Sequence, residues 1–334
     1  MPVYKRIVNR SKDILFAGGL SSGWWMSRNA GRLTGICYHR VDDPARFEFL
    51  ESGGLPVISP ELLEQELTFL KKSGARFTTF RQLEQQTIRP TDPVYMISFD
   101  DGYKENYTLG LEVLNRLGIQ AVFFQNSDAV GSRELLLEHA LFWFTQNRAL
   151  ADDLLAFASR AGADGVPAHF QSAEQLVRFL IHECPAEHSL TFVKKVSEHL
   201  GQTDAMRRFA ETLYPEKRDI EAAHRSGHEI ASHGRRHLKR ATISDAVFEQ
   251  ELAGSSRRLF EITGVRPIAF AYPHGDYLPG DAERVAGHYR YAAVVGGAPP
   301  ALPLKDPYHV PRHYWVKPAP NAARRRRFLL TGAL

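Results

Sequence analysis

The sequence is poor in cysteine, in long apolar runs and in low-complexity tracts. Only two of its 334 residues are cysteines, Cys37 and Cys184, which excludes a disulfide framework. We interpret both as reduced structural residues and therefore expect a reducing compartment. The uncharged stretch that begins at Ile14 already ends at Arg28, so it is shorter than the about 20 apolar residues of a transmembrane helix. It shows no small-residue cleavage site, so we expect no signal peptide and a cytoplasmic protein.

The chain also lacks a strong excess of either charge. Its net charge is +4 at pH 7, and the basic excess lies in residues 1–40 and 324–327, which leaves a mildly acidic body. A nucleic-acid-binding protein would interleave basic and aromatic residues across the fold, so we expect no nucleic-acid partner. The basic ends suit either solvated tails or a peripheral contact with an anionic membrane surface. Trp24 and Trp25 favour the membrane contact, at the inner face.

Short apolar runs alternate with helical patterns along most of the chain. The predicted strands span residues 33–38, 93–99, 119–125, 228–232, 268–272, 291–295 and 309–315. Between most of them, apolar residues recur at helical spacing, with capping residues before and glycine after. This alternation predicts a parallel α/β sheet, either open or closed into a barrel.

A long helical pattern interrupts this alternation between residues 126 and 217. We interpret it as a helical insertion between the third predicted strand and the strand at 228–232. The predicted domains are then an N-terminal basic and apolar helical segment at 1–32, a barrel at 33–125 and 218–316, the insertion at 126–217 and a basic C-terminal tail at 317–334.

Polar residues directly follow three of the predicted strands. These clusters occupy residues 98–102, 232–237 and 272–275. Because the carboxyl ends of parallel strands converge on one face, where ligands bind, the three clusters can meet in space. The sequence therefore predicts an active site at this face.

The residue types in these clusters suit metal-assisted hydrolysis. His233 and His237 are four residues apart, which on a helical turn places both imidazoles on one face. Among 14 histidines such a pair can also be two surface residues in a basic turn. With one carboxylate of Asp100 and Asp101, however, the pair forms a ligand set for a catalytic divalent metal. The other carboxylate could then act as base, and the backbone around Pro273 could face an oxyanion, so we predict hydrolysis of an acyl bond.

The arrangement resembles the polysaccharide deacetylase family, carbohydrate esterase family four. The sequence Ser98-Phe99-Asp100-Asp101-Gly102 resembles the first motif of the family, and His233-Gly234-Arg235-Arg236-His237 resembles its second. Cys37-Tyr38-His39-Arg40-Val41 matches an element near the first strand of many members. The resemblance implies a distorted (β/α)7 barrel with Asp100 as general base. It also implies Asp101, His233 and His237 as ligands of Zn²⁺ or another divalent ion such as Co²⁺, Ni²⁺ or Mn²⁺.

The third motif departs from the family pattern. Members often carry there an arginine that orients the catalytic aspartate, but this chain has Ala271, followed by Tyr272, Pro273 and His274. We expect another arginine to replace it, with three candidates: Arg235, Arg266 and Arg312. The backbone N–H of His274 is the best match for the oxyanion contact of the family.

The general acid of the family is a histidine in the last motif, and here two residues could supply it. His309 and His313 are four apart on a predicted strand and so share one face, whereas Arg312 points to the other. Either histidine could also lie at an exposed strand end. His39, at the end of the first strand, could contact substrate or could be a structural histidine bonded to Asp42 or Asp43.

The expected function is a metal-dependent carbohydrate deacetylase. Its substrate would be the N-acetyl or N-formyl amide of an amino sugar in a surface glycan or its precursor, which could be lipid-linked or nucleotide-linked. Two alternatives are a glycan O-deacetylase and a catalytically inactive glycan-binding barrel. The complete set of Asp100, Asp101, His233 and His237 argues against an inactive barrel, because a binding protein needs no metal ligands and base.

Overall fold

Seven parallel strands close into a barrel at the centre of the protein. A computed structural model describes residues 22–53, 57–85, 88–161, 166–167, 169–314 and 322–331. The strands of these residues are β1 Leu33–Tyr38, β2 Arg40–Val41, β3 Val57–Ile58, β4 Arg76–Phe77, β5 Val94–Phe99, β6 Val122–Gln125, β7 Glu229–Ser232, β8 Ala269–Ala271, β9 Tyr291–Val295 and β10 Val310–His313. The ring runs from β5 through β6, β7, β8, β9 and β10 to β1, which pairs again with β5. The predicted distorted (β/α)7 barrel is thus confirmed.

Buried apolar strands hold the barrel together. All six residues of β1 and all six of β5 are buried, and the two strands pair in parallel from Leu33 with Val94 to Tyr38 with Phe99. Parallel strands covered on both faces consist of nearly continuous apolar runs, which is why the sequence pattern predicts these two well. The strands β2, β3 and β4 are only two residues long, too short to show a periodicity.

Helices surround the barrel, and several begin or end at capping residues that the sequence shows. They are α1 Ser22–Arg28, α2 Pro60–Lys72, α3 Phe80–Gln85, α4 Leu109–Leu117, α5 Leu137–Trp143, α6 Arg148–Ala161, α7 Ala173–His182, α8 Ala186–His199, α9 Thr203–Leu213, α10 Lys217–Arg225, α11 Asp245–Thr263, α12 Asp281–Ala286 and α13 Ala322–Thr331. Ser59 caps α2 by accepting a hydrogen bond from the backbone N–H of Leu62, and Pro60 occupies the first position. Gly264 ends α11 with a φ of 73°.

Five helices, α5 to α9, occupy the stretch between β6 and α10. They share a core in which Leu141, Leu176, Leu180, Phe192 and Leu213 are buried. The sequence predicts a helical pattern over this stretch, and the structure divides it into these five helices. That this stretch is an insertion into the barrel stays a prediction.

The last described helix packs against the barrel surface. In α13, Phe328, Leu329 and Leu330 are buried in the same core as β1 and β5, and Arg325 lies 2.9 Å from Glu66. Within the predicted tail, residues 322–331 therefore form a helix packed on the barrel, while residues 317–321, 332–334 and 1–21 lie outside the described residues. Among the described helices, none combines the length and apolarity needed to cross a membrane.

Candidate active site

The three predicted polar clusters meet at the carboxyl end of the barrel. Asp100 and Asp101 follow β5, His233 follows β7 and His274 follows β8, and all four line one cavity of about 230 Å³. His39, which follows β1, lines the same cavity. Strand direction alone brings these residues together, because every barrel strand runs the same way.

Two histidines converge on one carboxylate oxygen. His233 Nε2 lies 3.4 Å and His237 Nε2 lies 3.3 Å from Asp101 Oδ1. Asp101 and His237 have φ angles of 68° and 56°, in the left-handed region that non-glycine residues rarely adopt. The prediction that His233 and His237 share a helical turn is wrong, because the stretch between them is a loop. The loop brings the two rings together instead, with centroids 4.8 Å apart.

The far ring nitrogen of each histidine also contacts an acceptor. His233 Nδ1 lies 2.8 Å from the carbonyl oxygen of Ala271 and donates to it, and His237 Nδ1 lies 2.8 Å from Glu138 Oε1. The bond to Ala271 fixes the tautomer of His233 that leaves its Nε2 free to bind a metal, and the Glu138 carboxylate lies beside the His237 ring on the side away from Asp101, as is usual around metal-ligating histidines. Two imidazole nitrogens and one carboxylate oxygen, all buried and within 4.8 Å of one another, fit a divalent ion such as Zn²⁺ with positions left for water and substrate.

Asp100 forms a buried ion pair with an arginine from the last strand. Arg312 Nη1 and Nη2 donate to the two carboxylate oxygens at 2.6 and 2.8 Å, and Arg312 is 1% exposed. Burial alone would raise the pKa of the Asp100 carboxyl, but Arg312 and His233 outweigh it and hold that pKa below its usual value. Asp100 is therefore ionised and can accept a proton.

Arg312 thus orients Asp100 in place of the arginine that the third motif of this chain lacks. The other two candidates lie elsewhere: Arg235 pairs with Asp128 at 2.9 Å, and the Arg266 guanidinium stacks 5.3 Å from the Phe260 ring. Side chains along a strand point alternately to its two faces. The side chain of Arg312 points into the barrel and so reaches Asp100, whereas those of the residues before and after it point outward.

His309 and His313 are not among the residues that line the cavity. His309 Nδ1 lies 2.9 Å from Asp306, and the His313 ring packs against Phe328 with centroids 6.3 Å apart. Their geometry does not support either of them as general acid.

His39 is placed better than either for proton transfer. One of its ring nitrogens lies within 4.8 Å of a carboxylate oxygen of Asp100, and its ring contacts Tyr314 edge-on with centroids 5.2 Å apart. Asp42 and Asp43, the alternative partners, accept instead from backbone N–H groups of their own turn.

The structure places the third-motif residues beside the metal-ligand cluster. His274 lies in the turn Pro273–Gly275 with a φ of 59°, and its ring centroid is 4.5 Å from that of His237. Burial lowers the pKa of His274 to about 3, so the ring is neutral at physiological pH. Tyr272, at the start of the turn, is buried and also lines the cavity.

Sequence reasoning did not identify several residues that line the cavity, among them Glu138 on α5, His182 on α7 and Tyr103. The hydroxyl of Tyr103 lies 2.9 Å from His139 Nε2, and His139 Nδ1 lies 2.8 Å from the hydroxyl of Tyr214. Glu138 and His182 sit in helical patterns with no motif around them, so only the packing of α5 and α7 shows that they reach the site.

The comparison with known families decides where this chain belongs. The family model described as polysaccharide deacetylase matches residues 87–161 and 185–293, which is more than half of the chain. The chain belongs to the polysaccharide deacetylase family. That family, carbohydrate esterase family four, comprises hydrolases that act on the amide bonds of sugars.

Individual relatives are distant. The curated protein YxkH of Bacillus subtilis (strain 168), provisionally named a polysaccharide deacetylase, is 23% identical over 124 residues, which cover 36% of this chain and only 41% of YxkH. BC0361, a polysaccharide deacetylase from Bacillus cereus, has a TM-score of 0.56 at 16% identity over 90% of this chain and 69% of its own. A de-N-acetylase from Aggregatibacter actinomycetemcomitans has a TM-score of 0.54 at 14% identity, over 88% and 98% of the two chains. At these identities the solved structures show a common fold.

Proposed function

We propose that this protein is a metal-dependent N-deacetylase of an amino-sugar glycan. The observation that carries the proposal is one cavity whose lining includes Asp100, which is paired with Arg312, beside the buried ligand set of Asp101, His233 and His237. A base held ionised next to a divalent-ion site is the arrangement that hydrolysis of an unactivated amide requires.

The ligand set, Asp100, Arg312 and His39 each have a defined part in the proposed reaction. A divalent ion held by Asp101, His233 and His237 would supply Lewis-acid polarisation and lower the pKa of water. Asp100 accepts the proton that the attacking water loses, and Arg312 keeps the carboxylate oriented. Burial lowers the pKa of His39, so its ring starts neutral and relays to the nitrogen the proton that Asp100 took from water, as the C–N bond breaks. The products are a free amine and acetate, or formate from an N-formyl substrate.

The acyl linkage and the metal are part of the proposal. The similarity to a de-N-acetylase supports an amide over an ester, so glycan O-deacetylation is the weaker alternative. The nitrogen-rich ligand set supports Zn²⁺, with Co²⁺, Ni²⁺ or Mn²⁺ as substitutes.

Acetate release tests this function directly. The Zn²⁺-loaded protein should release one acetate for each amine that appears on N-acetylglucosamine oligomers. A chelator should stop the release, because no side chain of the site can take over the role of the metal ion. Added Zn²⁺ should rebind to the three ligands and restore the release. Acetate release from O-acetylated sugars alone would favour the O-deacetylase, and glycan binding with no release from either would favour the inactive barrel.

His39 is expected to be the proton donor. His39→Gln should lower kcat by about 10²–10⁴-fold, the usual contribution of general acid catalysis, with metal content unchanged. His309→Gln and His313→Gln serve as matched controls and should retain the rate of the unmodified protein, because neither ring lines the cavity. A large loss of kcat in either control, with His39→Gln active, would assign the acid to the last strand instead.

We also propose that the protein acts in the cytoplasm at the inner face of the membrane, on a lipid-linked glycan. Trp24 on α1 is 53% exposed with the Arg28 guanidinium 4.6 Å from its ring centroid, and α1 packs against the arginine-rich α13. Exposed tryptophan beside basic residues suits an anionic lipid surface. Co-sedimentation with phosphatidylglycerol vesicles should fall on Trp24→Ala, and equal sedimentation with neutral vesicles would refute the contact.

A further inference from the structure

A chain of three buried hydrogen bonds leads from the core of the helical stretch to the wall of the catalytic cavity. The backbone N–H of Leu136 donates to the hydroxyl oxygen of Tyr214 at 2.8 Å. That hydroxyl lies 2.8 Å from His139 Nδ1, and His139 Nε2 lies 2.9 Å from the hydroxyl of Tyr103. His139 and Tyr214 are buried behind the wall, whereas Tyr103 lines the cavity itself. The chain therefore ends at a residue that a bound substrate can contact.

The backbone donor at the start of this chain sets the direction of every hydrogen bond in it. An N–H group can only donate, so the Tyr214 oxygen accepts from Leu136. Among the described residues, the only other hydrogen-bond partner of the Tyr214 hydroxyl is His139. Tyr214 must therefore donate its own hydrogen to His139 Nδ1, because a buried hydroxyl hydrogen without an acceptor is costly. A neutral His139 then carries its ring hydrogen on Nε2 and donates it to the Tyr103 oxygen.

Two further observations support this tautomer of His139. Glu138 Oε1 lies 3.7 Å from His139 Nε2, and a carboxylate favours a hydrogen, rather than a lone pair, on the nitrogen that faces it. Burial also lowers the pKa of His139, so the ring is neutral and has one hydrogen to place. Because the Tyr103 oxygen accepts that hydrogen, its own hydrogen points elsewhere, and the described residues offer it no acceptor. The hydrogen of Tyr103 is therefore available to a bound ligand.

The proposed reaction leaves one reacting atom that needs such a donor. Asp100 takes the proton of the attacking water, and His39 delivers it to the nitrogen. The acyl oxygen, in contrast, gains negative charge as the water attacks and can only accept hydrogen bonds. Tyr103 follows the metal ligand Asp101 by two positions and lines the same cavity. A donor held in place at such an oxygen lowers the barrier without transferring a proton.

We propose that the Tyr103 hydroxyl donates a hydrogen bond to the acyl oxygen of the substrate as this oxygen becomes negatively charged. Tyr103 is then a further catalytic residue. His139 is a positioning residue, because its Nε2–H occupies the Tyr103 oxygen and keeps the hydroxyl hydrogen for the substrate. The inference rests on the proposed function for the identity of the reacting group.

Removing the Tyr103 hydroxyl tests its part in turnover. In the Zn²⁺-loaded protein, Tyr103→Phe should lower kcat for acetate release about 10²–10³-fold, the usual loss for one oxyanion donor. Its KM and metal content should change little, because the bond strengthens only as charge develops. Tyr289→Phe is the matched control, since it removes a buried hydroxyl that donates to the carbonyl oxygen of Leu252 at 2.8 Å, away from the cavity. This control should retain the kcat of the unmodified protein.

Two further measurements do not depend on turnover. Acetate, whose oxygens correspond to the acyl oxygen, should bind the Zn²⁺-loaded Tyr103→Phe variant about tenfold more weakly than the unmodified protein in calorimetry, because one bond to a charged acceptor is lost. ¹⁵N NMR of the His139 ring, assigned by the signals that disappear in His139→Gln, should show a hydrogen on Nε2 and none on Nδ1.

Each of these measurements can overturn the inference. A hydrogen on His139 Nδ1 would do so, because Tyr103 would then donate to His139 and not to the substrate. Unchanged kcat and acetate affinity in Tyr103→Phe would also refute it, and loss of the metal ion in that variant would refute it in favour of a role in holding the ligand set. If the unmodified protein releases no acetate from any N-acetylated sugar, the proposed function fails, whereas the affinity of Tyr103→Phe for acetate still decides whether the hydroxyl is a donor to the acyl oxygen.

Discussion

Replacing Asp100 with Asn should abolish acetate release while the protein still binds its metal ion. The amide is nearly the same shape and can accept hydrogen bonds from Arg312, but it cannot take a proton from water. We expect kcat to fall by about 10²–10⁴-fold, the range for loss of a general base. Steady-state acetate release and metal content of the purified variant measure the two parts of the prediction.

The neighbouring aspartate provides the matched control. Asp101→Asn replaces with a neutral amide the carboxylate whose oxygen lies 3.3–3.4 Å from His237 Nε2 and His233 Nε2, so this variant should lose metal as well as activity. If Asp100→Asn loses the metal and Asp101→Asn keeps it, the roles of the two aspartates are exchanged. If Asp100→Asn keeps full activity, Asp100 is not the base.

Replacing Arg312 with Met should be among the most destabilising single changes in this barrel. Arg312 is almost fully buried, donates to both oxygens of Asp100 and also donates to Ser98 Oγ at 2.9 Å. Its removal leaves a buried carboxylate without its counter-ion, which typically costs about 3–5 kcal/mol. Chemical denaturation of the metal-free protein should show this loss at neutral pH.

A double variant shows whether the unpaired buried charge or the lost packing causes the loss of stability. In Arg312→Met combined with Asp100→Asn, no buried charge is left unpaired, so most of the lost stability should return. If the double variant is as unstable as Arg312→Met, packing of the guanidinium over Phe124, at 4.4 Å from the ring centroid, accounts for the effect. Arg235→Met, which breaks a half-exposed pair with Asp128, should cost about 1 kcal/mol or less.

The local sequence pattern was sufficient to predict most of the barrel strands. The predicted strands at 33–38 and 291–295 match β1 and β9 residue for residue, and the other five barrel strands differ only at their ends. These strands are short continuous apolar runs between clear turns, which is the pattern of a buried parallel strand. The polar clusters after β5, β7 and β8 followed from the same reasoning, because parallel strands end on one face.

The contacts that complete the site could not be read from local pattern. The general-acid prediction of His309 or His313 rested on the family's last motif, but in β10 it is Arg312 whose side chain reaches Asp100. His233 and His237 meet through a loop with left-handed backbone at His237, a conformation that spacing alone does not indicate. Glu138 and His182 reach the cavity only because α5 and α7 pack over its mouth.

The sequence by itself determined the barrel strands, the family resemblance and the group of Asp100, Asp101, His233 and His237, because each depends on short-range pattern and strand direction. Only the tertiary structure decided which arginine pairs with Asp100, which histidine lies near it and that Glu138 and His182 line the same cavity. Those are contacts between residues far apart in the chain, such as Asp100 and Arg312, which are 212 positions apart. They exist only once the barrel has closed, when β1 pairs with both β5 and β10.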